Sequence, residues 1–325
     1  MKMQGIYAPY ITQYLELKRR LGFKLRDIEY TFAQFDQLTI KRKEQSIGIT
    51  KEFSDLWCEK RSNETDGTRY NRVSLLCLFA RFLCDIGFLS YVPQVPKFKS
   101  SFAPHIFSKD EIASLFSASD NFAPDKITHG SSHIMMPVLF RLLYGTGLRL
   151  GEALALEEKD VNLEEKYVIV RQSKNGTERI VPMSGSLAGV CKSYRNLKGF
   201  TAARQIKSKL FFVKTDEGPC SNSTAYHSFR KALWMIGIPH RGKGLGPRLH
   251  DLRHTFACHS LAVMAEAGLD LYHSLPVLST YLGHRTVEST NKYVRLTSEM
   301  YPNLLKNVSD LCAYVFPELK NEEQL

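Results

Sequence analysis

No apolar run in this 325-residue chain is long enough to serve as a signal peptide or to span a membrane; Met1 leads into Lys2 and a polar amphipathic segment. The chain is therefore expected in the cytoplasm, away from membranes. Cysteine is sparse and scattered: Cys58, Cys77, Cys84, Cys191, Cys220, Cys258 and Cys312 form no Cys-x-x-Cys pair. That spacing argues against a disulfide framework and reads as reduced core thiols, with Cys77 and Cys84 at heptad spacing in an apolar helical run. No internal repeat or low-complexity tract is present. Acidic residues are the minority charge, 33 against 44 Lys plus Arg, for a formal net charge of +11. The excess is shared, with 17 basic and 11 acidic side chains in residues 1–100 and 27 against 22 in the remainder. A polyanion, nucleic acid first, is the partner this balance favours, although solvated lysines alone would give the same sum.

The length exceeds the roughly 100–200 residues of a usual domain, so two domains are expected. Apolar residues recur at helical spacing through the first 90 residues: Tyr10, Ile11, Tyr14, Leu17 and Leu21, then Ile28, Phe32, Phe35 and Leu38. A third helix starts near Thr50 with Phe53, Leu56 and Trp57, and a fourth runs from about Thr68 to a stop at Gly87. The basic residues Lys18, Arg19, Arg20, Lys41, Arg42, Lys43, Arg69, Arg72 and Arg81 mostly avoid the apolar stripes, as a solvated or DNA-gripping face would. Pro93, Pro96 and Pro104 interrupt every pattern and mark a linker over 93–107. Ser108 and Glu111 then form a capping box that opens a second domain.

In that domain Ile134 to Tyr144 reads as a buried helix with Pro137 in its first turn, broken by Gly145 and Gly147, and a short helix carries Arg149 to Leu156. Tyr167–Arg171 and Thr177–Val181 alternate as strands around Asn175-Gly176, a hairpin signal that puts Lys174 at the tip, and Leu210–Val213 is a third strand candidate. Thr224–Ile236, Leu249–Ala267, Leu275–Leu282 and Thr286–Leu296 are predicted helices. The fold class that follows is mainly α (α+β): a helical domain over 1–92, the linker, and an α-rich domain over 108–325 with a small antiparallel β-sheet.

Cutting a phosphodiester without metal or water needs a nucleophile, cations to neutralise the pentavalent phosphorane, and an acid for the departing sugar oxygen. Arg149 and Arg253 suit the phosphate, because a guanidinium stays protonated and presents a planar fork of donors. Arg149 opens a helix directly after a glycine turn, and Arg253 follows His250 by one helical turn. His250 and His284 each read alone as capping or core histidines. As a pair near two arginines, His250 could accept a tyrosine proton while His284 donates to a phosphate oxygen. Tyr293 is the candidate nucleophile, needing a base or cations because a phenol titrates near about 10. Lys174 could protonate the leaving 5'-oxygen from the minor groove, and alone would be an ordinary turn lysine. A rival reading of His250, His254, Cys258 and His259 as zinc ligands lacks a second ligand cluster with structural-zinc spacing, so no metal or cofactor is expected.

Thr146-Gly-Leu-Arg149-x-x-Glu152, Lys174 four residues before Glu178 in a Glu-Arg-x-Val-Pro run, His250-x-Leu-Arg253-His254, Leu282-Gly-His284, and Tyr293 nine residues further on resemble the tyrosine recombinase, or phage integrase, superfamily. The resemblance covers residues 108–300, with a looser match of the N-terminal helices to the family's core-binding domain. It implies an enzyme whose catalytic residues are Arg149, Lys174, His250, Arg253, His284 and Tyr293, with Glu152 and His254 orienting the arginines. Tyr293 would join a DNA 3'-phosphate and free a 5'-hydroxyl, with no metal or ATP. Many relatives carry a second lysine just before the Glu-Arg pair; Thr177 stands there here, leaving Lys174 alone. The resemblance also implies double-stranded DNA sites as partner and self-assembly into a tetramer on two duplexes. Residues 299–316, with Met300, Leu304, Leu305, Val308, Leu311 and Cys312 as an apolar stripe, would be a helix given to a neighbouring subunit. The helices begin close to Met1, so no arm-binding domain of the lambda type is expected. Integration or transposition of a mobile element is the leading role; chromosome-dimer resolution of the Xer type, a type IB topoisomerase and a non-catalytic DNA-binding protein are the alternatives.

Overall fold

Side-chain caps and left-handed glycines set where most helices of this chain start and stop. The computed structural model describes residues 3–23, 25, 28–98, 103–122, 130–171, 178–201, 208–239, 242, 246–284, 286 and 288–300. The chain divides into two units, residues 1–102 and 103–325.

The first unit holds α1 (Ala8–Arg20), α2 (Ile28–Arg42), α3 (Lys51–Cys58) and α4 (Asp66–Asp85). Thr50 and Thr65 cap α3 and α4 by accepting from the amides of Phe53 and Thr68, which satisfies donors the helix itself leaves free. Phe79 is the hub of the core, with the rings of Tyr7, Tyr14, Phe32 and Phe35 edge-on to it at centroid distances of 5.1–6.4 Å. The inward stripe of the first helix is Tyr7, Ile11, Tyr14 and Leu15, whereas Leu17 and Leu21 are exposed. The helix is thus turned by about one residue step from the expected phase. Arg72 also departs from the expected solvated face. It is buried, gripping the Glu64 carboxylate through Nε at 2.7 Å and Nη2 at 2.6 Å, with its guanidinium 5.2 Å from the Trp57 ring centroid. Cys77 is buried as a core thiol, and Cys84 is exposed.

The second unit contains α5 (Lys109–Asp120), α6 (Met136–Thr146), α7 (Leu150–Leu154), β1 (Val161–Asn162), β2 (Tyr167–Val170), β3 (Arg179–Pro182), α8 (Gly185–Thr201), α9 (Asn222–Met235), α10 (Asp251–Glu266), α11 (Leu271–Leu282) and α12 (Glu288–Met300). The capping box at Ser108 forms with both of its hydrogen bonds, and Pro137 falls in the first turn of α6. The strands make one antiparallel sheet in the order β1-β2-β3, with Val168 paired to Val161 and to Val181. Leu210–Val213 does not supply the third strand; it makes only isolated bridges, Leu210 to Glu157 and Val213 to Pro219, and buries Phe211 and Phe212. The two-residue β1, too short to show alternation, takes that place. α8 has no counterpart in the sequence reading, because its inward stripe mixes Leu187, Cys191 and Tyr194 with Lys198. Lys198 is buried against Glu158 and the Phe211 carbonyl.

The segment 103–107, expected as linker, docks on α10. The Phe107 amide donates to Thr255 Oγ1 at 3.1 Å and the His105 amide to Asp251 Oδ2 at 3.4 Å. Ile106 joins Ala257, Leu261, Leu278, Leu282 and Tyr293 in an apolar cluster beside α10, α11 and α12. Among the described residues no helix is long and apolar enough to cross a membrane. Lys174 and residues 301–316 lie outside the described residues.

Because Phe79 is fully buried at the centre of five aromatic pairs, four edge-on and one stacked with Phe82, Phe79→Ala should destabilise the first unit by about 3–5 kcal/mol. Denaturant unfolding followed by tryptophan fluorescence from Trp57 reads this directly; a loss under about 1 kcal/mol would contradict the hub.

Candidate active site

Two glycines shape the site. Gly147 (φ 61°) ends α6 and Gly283 (φ 66°) ends α11, both in the left-handed region where side chains are strained. Space forbids a side chain as well: a Cβ on Gly147 would sit 2.5 Å from the Phe256 ring, and one on Gly283 would sit 2.9 Å from the Arg179 guanidinium. Thr-Gly-Leu-Arg and Leu-Gly-His therefore read as two helix ends brought face to face.

Helix C-termini carry unpaired carbonyls and the negative end of the dipole, and three arginines meet them here. Arg179 Nε donates to Tyr281 O at 3.0 Å, Arg253 Nη2 to Leu282 O at 2.7 Å and Arg149 Nη2 to Gly283 O at 3.5 Å. Arg253 Nη1 also donates to Gly147 O at 2.7 Å. Glu152 holds the other two arginines: its Oε1 accepts from Arg149 Nη1 at 2.8 Å, and its Oε2 accepts from the Arg149 amide at 3.0 Å and from Arg179 Nη2 at 2.8 Å. Burial alone would raise the Glu152 carboxyl, but the hydrogen bonds from Arg179 and Arg149 outweigh it and hold it at about 2. Burial, then the charge of Arg149, draws Arg253 down to about 10, which leaves it protonated at neutrality.

Tyr293, on α12, is 1% exposed, and its hydroxyl lies 2.9 Å from His254 Nδ1. The residue expected beside that hydroxyl was His250. His250 instead packs edge-on against His254 at 4.8 Å and is exposed, because it precedes the first turn of α10 whereas His254 points from its buried face. His254, read as orienting an arginine, is thus the tyrosine's own partner. His284 Nε2 lies 3.0 Å from Arg253 Nη2, and its ring stacks on Tyr293 at 6.2 Å. The site thereby gathers Arg149, His250, Arg253, His284 and Tyr293 with Glu152 and His254; Lys174 lies outside the described residues. Three residues went unread in the sequence. Arg179 sits in the Glu-Arg-x-Val-Pro run. Thr290 is fully buried one turn before Tyr293, with Oγ1 2.7 Å from His284 Nδ1. Lys292 places its ammonium 5.2 Å from the Tyr293 ring centroid. His259, from the rival zinc set, is engaged with the Tyr144 hydroxyl at 2.9 Å.

Burial raises the Tyr293 phenol to about 12, against the opposing pull of Arg253. Burial first and neighbouring charges second lower all three histidines: His250 to about 4 beside Arg253 and Arg149, His254 to about 3 beside His250 and Lys292, and His284 to about 4 beside Arg253 and Arg149. His250 keeps an open side, where water weakens the effect of those charges. Unfolded imidazoles take up protons below about 6.5, whereas the folded ones stay neutral well below that. Stability is then complete above about pH 6.5 and falls as the pH drops from there toward the folded values. Calorimetry of the full chain should give a midpoint that is steady from pH 8 to 7 and falls from pH 6.5 to 4.5, with net proton uptake on unfolding. Proton release in that window would refute neutral histidines at the site.

Residues 105–300 match the Phage integrase family. A protein of Sinorhizobium fredii named as an integrase/recombinase is 30% identical over 92% of this chain and 95% of its own length. The tyrosine recombinase XerA of Pyrococcus horikoshii is 31% identical over 64% of this chain and 61% of its own. In fold, the chain is similar to lambda integrase residues 75–356, solved as a dimer bound to a core site (TM-score 0.61, 17% identity, 88% of this chain and 94% of the other). It is likewise similar to the Tn1549 transposon integrase solved with transposon end DNA (TM-score 0.62, 16% identity, 86% and 92%). The family match over the whole site and the relative aligned along nearly the full length agree with the arginine, histidine and tyrosine arrangement: the chain belongs to the phage integrase family and is a site-specific tyrosine recombinase, a DNA strand transferase.

Proposed function

We propose that this recombinase inserts, excises or transposes a mobile element, with Tyr293 as its nucleophile. The observation that carries the residue assignment is the convergence of Arg149, Arg253, His284 and His254 around the Tyr293 seat. Phosphate would enter against Arg149 and Arg253, whose forks suit two non-bridging oxygens. The Tyr293 oxygen would attack phosphorus as its proton passes to His250, the bond to the 5'-oxygen would break, and Lys174 would hand that oxygen its proton. The product is a 3'-phosphotyrosine and a free 5'-hydroxyl, which attacks the phosphotyrosine of a partner strand. Bond number is conserved at each transfer, in keeping with a family that needs neither metal nor ATP.

The arrangement described above is a resting one. A phenol held at about 12 does not pass its proton to an imidazole held at about 3, and the Tyr293 hydroxyl is out of reach of solvent. DNA binding would have to draw the hydroxyl from His254 toward the arginines. The helices of residues 1–92, with their exposed Arg19, Arg20 and Lys41, would serve as the core-binding domain, and four chains would act on two duplexes in the cytoplasm. The alignment with the Sinorhizobium integrase/recombinase along nearly the whole chain, and the likeness in fold to a transposon integrase, support the mobile-element role over chromosome-dimer resolution.

Expressing wild type and Tyr293→Phe in cells and sequencing DNA that stays attached under denaturing conditions tests this. Wild type should yield DNA ending at one sequence and Tyr293→Phe none, with Arg149→Ala and Arg253→Ala reduced at least 100-fold. Adducts from Tyr293→Phe would sink the nucleophile, and scattered ends would point to a topoisomerase. Affinity for the recovered site should fall with salt at a log-log slope of about −0.9 per phosphate contacted; fluorescence anisotropy across a salt series measures it, and a flat response would refute phosphate contacts.

A further inference from the structure

We propose that Thr290 is a positioning residue: its hydroxyl accepts the Nδ1–H that Arg253 imposes on His284 and anchors that ring, and His284 so anchored holds Arg253 in the orientation that meets the phosphate. The proposal rests on the strand-transfer reading above and adds a residue to it.

The argument is one of donors and acceptors. A guanidinium can only donate, so His284 Nε2, 3.0 Å from Arg253 Nη2, must be the bare, accepting nitrogen. A neutral imidazole has one N–H, which then lies on Nδ1, 2.7 Å from Thr290 Oγ1. The threonine oxygen accepts it. The opposite tautomer would set N–H against N–H at Arg253 and leave Nδ1 bare. Thr290 is fully buried, so water has no access to replace its oxygen. Two carbonyls pin Arg253 from other sides, Gly147 O and Leu282 O, each at 2.7 Å, and His284 is the one acceptor of the three whose state can switch.

The placement on α12 gives the contact its consequence. Thr290 and Tyr293 lie three residues apart, on one side of the helix. Each closes a hydrogen bond to a histidine, Thr290 to His284 and Tyr293 to His254. Seating α12 therefore sets the nucleophile and the histidine behind the phosphate clamp together, and a displaced α12 would loosen both.

Two-bond 1H–15N spectra of the full chain labelled in histidine distinguish protonated from bare ring nitrogens, with His284 assigned from a His284→Gln sample. The wild type should show N–H at Nδ1 and a bare Nε2. Thr290→Val keeps the shape but has no acceptor; the His284 Nδ1–H should lose its hydrogen bond and its proton resonance should move upfield, and the covalent complex with recovered site DNA should form about 10- to 100-fold more slowly at unchanged DNA affinity. Thr290→Ser should restore both. Protonated Nε2 in the wild type would overturn the proposal, as would a Thr290→Val protein that keeps the wild-type Nδ1–H resonance and the rate, or a Thr290→Ser protein as slow as Thr290→Val. If Thr290→Val does not fold, the wild-type spectrum and Thr290→Ser still decide. An adduct surviving Tyr293→Phe would remove the nucleophile and leave the spectra as they stand, so the two readings fail separately.

Discussion

The site depends on three arginines closing the carbonyl end of α11. Tyr281, Leu282 and Gly283 present carbonyls that the helix cannot satisfy, and Arg179, Arg253 and Arg149 each take one. A guanidinium bound this way loses little rotamer freedom when phosphate arrives, because its plane is already set. The same contacts make the close approach of α6 and α11 possible, since Arg253 bridges Gly147 O to Leu282 O across the gap. Both helix ends take the left-handed conformation that favours glycine, and a side chain at Gly283 would press on the Arg179 guanidinium while one at Gly147 would press on the Phe256 ring and Leu282.

Gathering cations in a dry site has an electrostatic cost, and the surroundings meet it in two ways. Glu152 supplies a buried anion shared by Arg149 and Arg179, held ionised by the pair it binds. The histidines supply neutrality. His254 and His284 are kept unprotonated first by burial and then by neighbouring charge, that of His250 and Lys292 at His254 and of Arg253 and Arg149 at His284, so they add no further charge to the site. The incoming anion would reverse that balance, favouring protonation of the histidines and release of the tyrosine together.

Much of the fold was legible because it rests on local physics. Ser108 with Glu111, Pro137 at a helix start, and the alternation of Tyr167–Arg171 and Thr177–Val181 each specify structure over a few residues; the two helices start as expected and the two strands pair, the second over Arg179–Pro182, while Asn175 and Gly176 lie outside the described residues. The misses come where local pattern and tertiary packing part. Of the expected stripe Tyr10, Ile11, Tyr14, Leu17 and Leu21, the first three face the core while Leu17 and Leu21 are exposed, because Tyr7 and Tyr14 set the helix on Phe79. α8 escaped notice because an ion pair with Glu158 buries a lysine on its inward face. Arg72 looked like a surface cation until Glu64 and Trp57 enclosed it.

Residue types and their order along the chain were enough to identify the family and to nominate Arg149, His250, Arg253, His284 and Tyr293, because phosphoryl chemistry needs those functional groups and the glycine turns mark their helix ends. Which atoms touch was settled by packing. His254 rather than His250 meets the Tyr293 hydroxyl, Arg179 completes the carbonyl cap, and Thr290 meets His284. Arg179 and His254 join partners 102 and 39 positions away, while Thr290 reaches His284 six positions away, on the far side of the start of α12. Spacing along a helix constrains neighbours within about two turns, and contacts between elements follow from how α10, α11 and α12 pack, which no one-dimensional pattern contains.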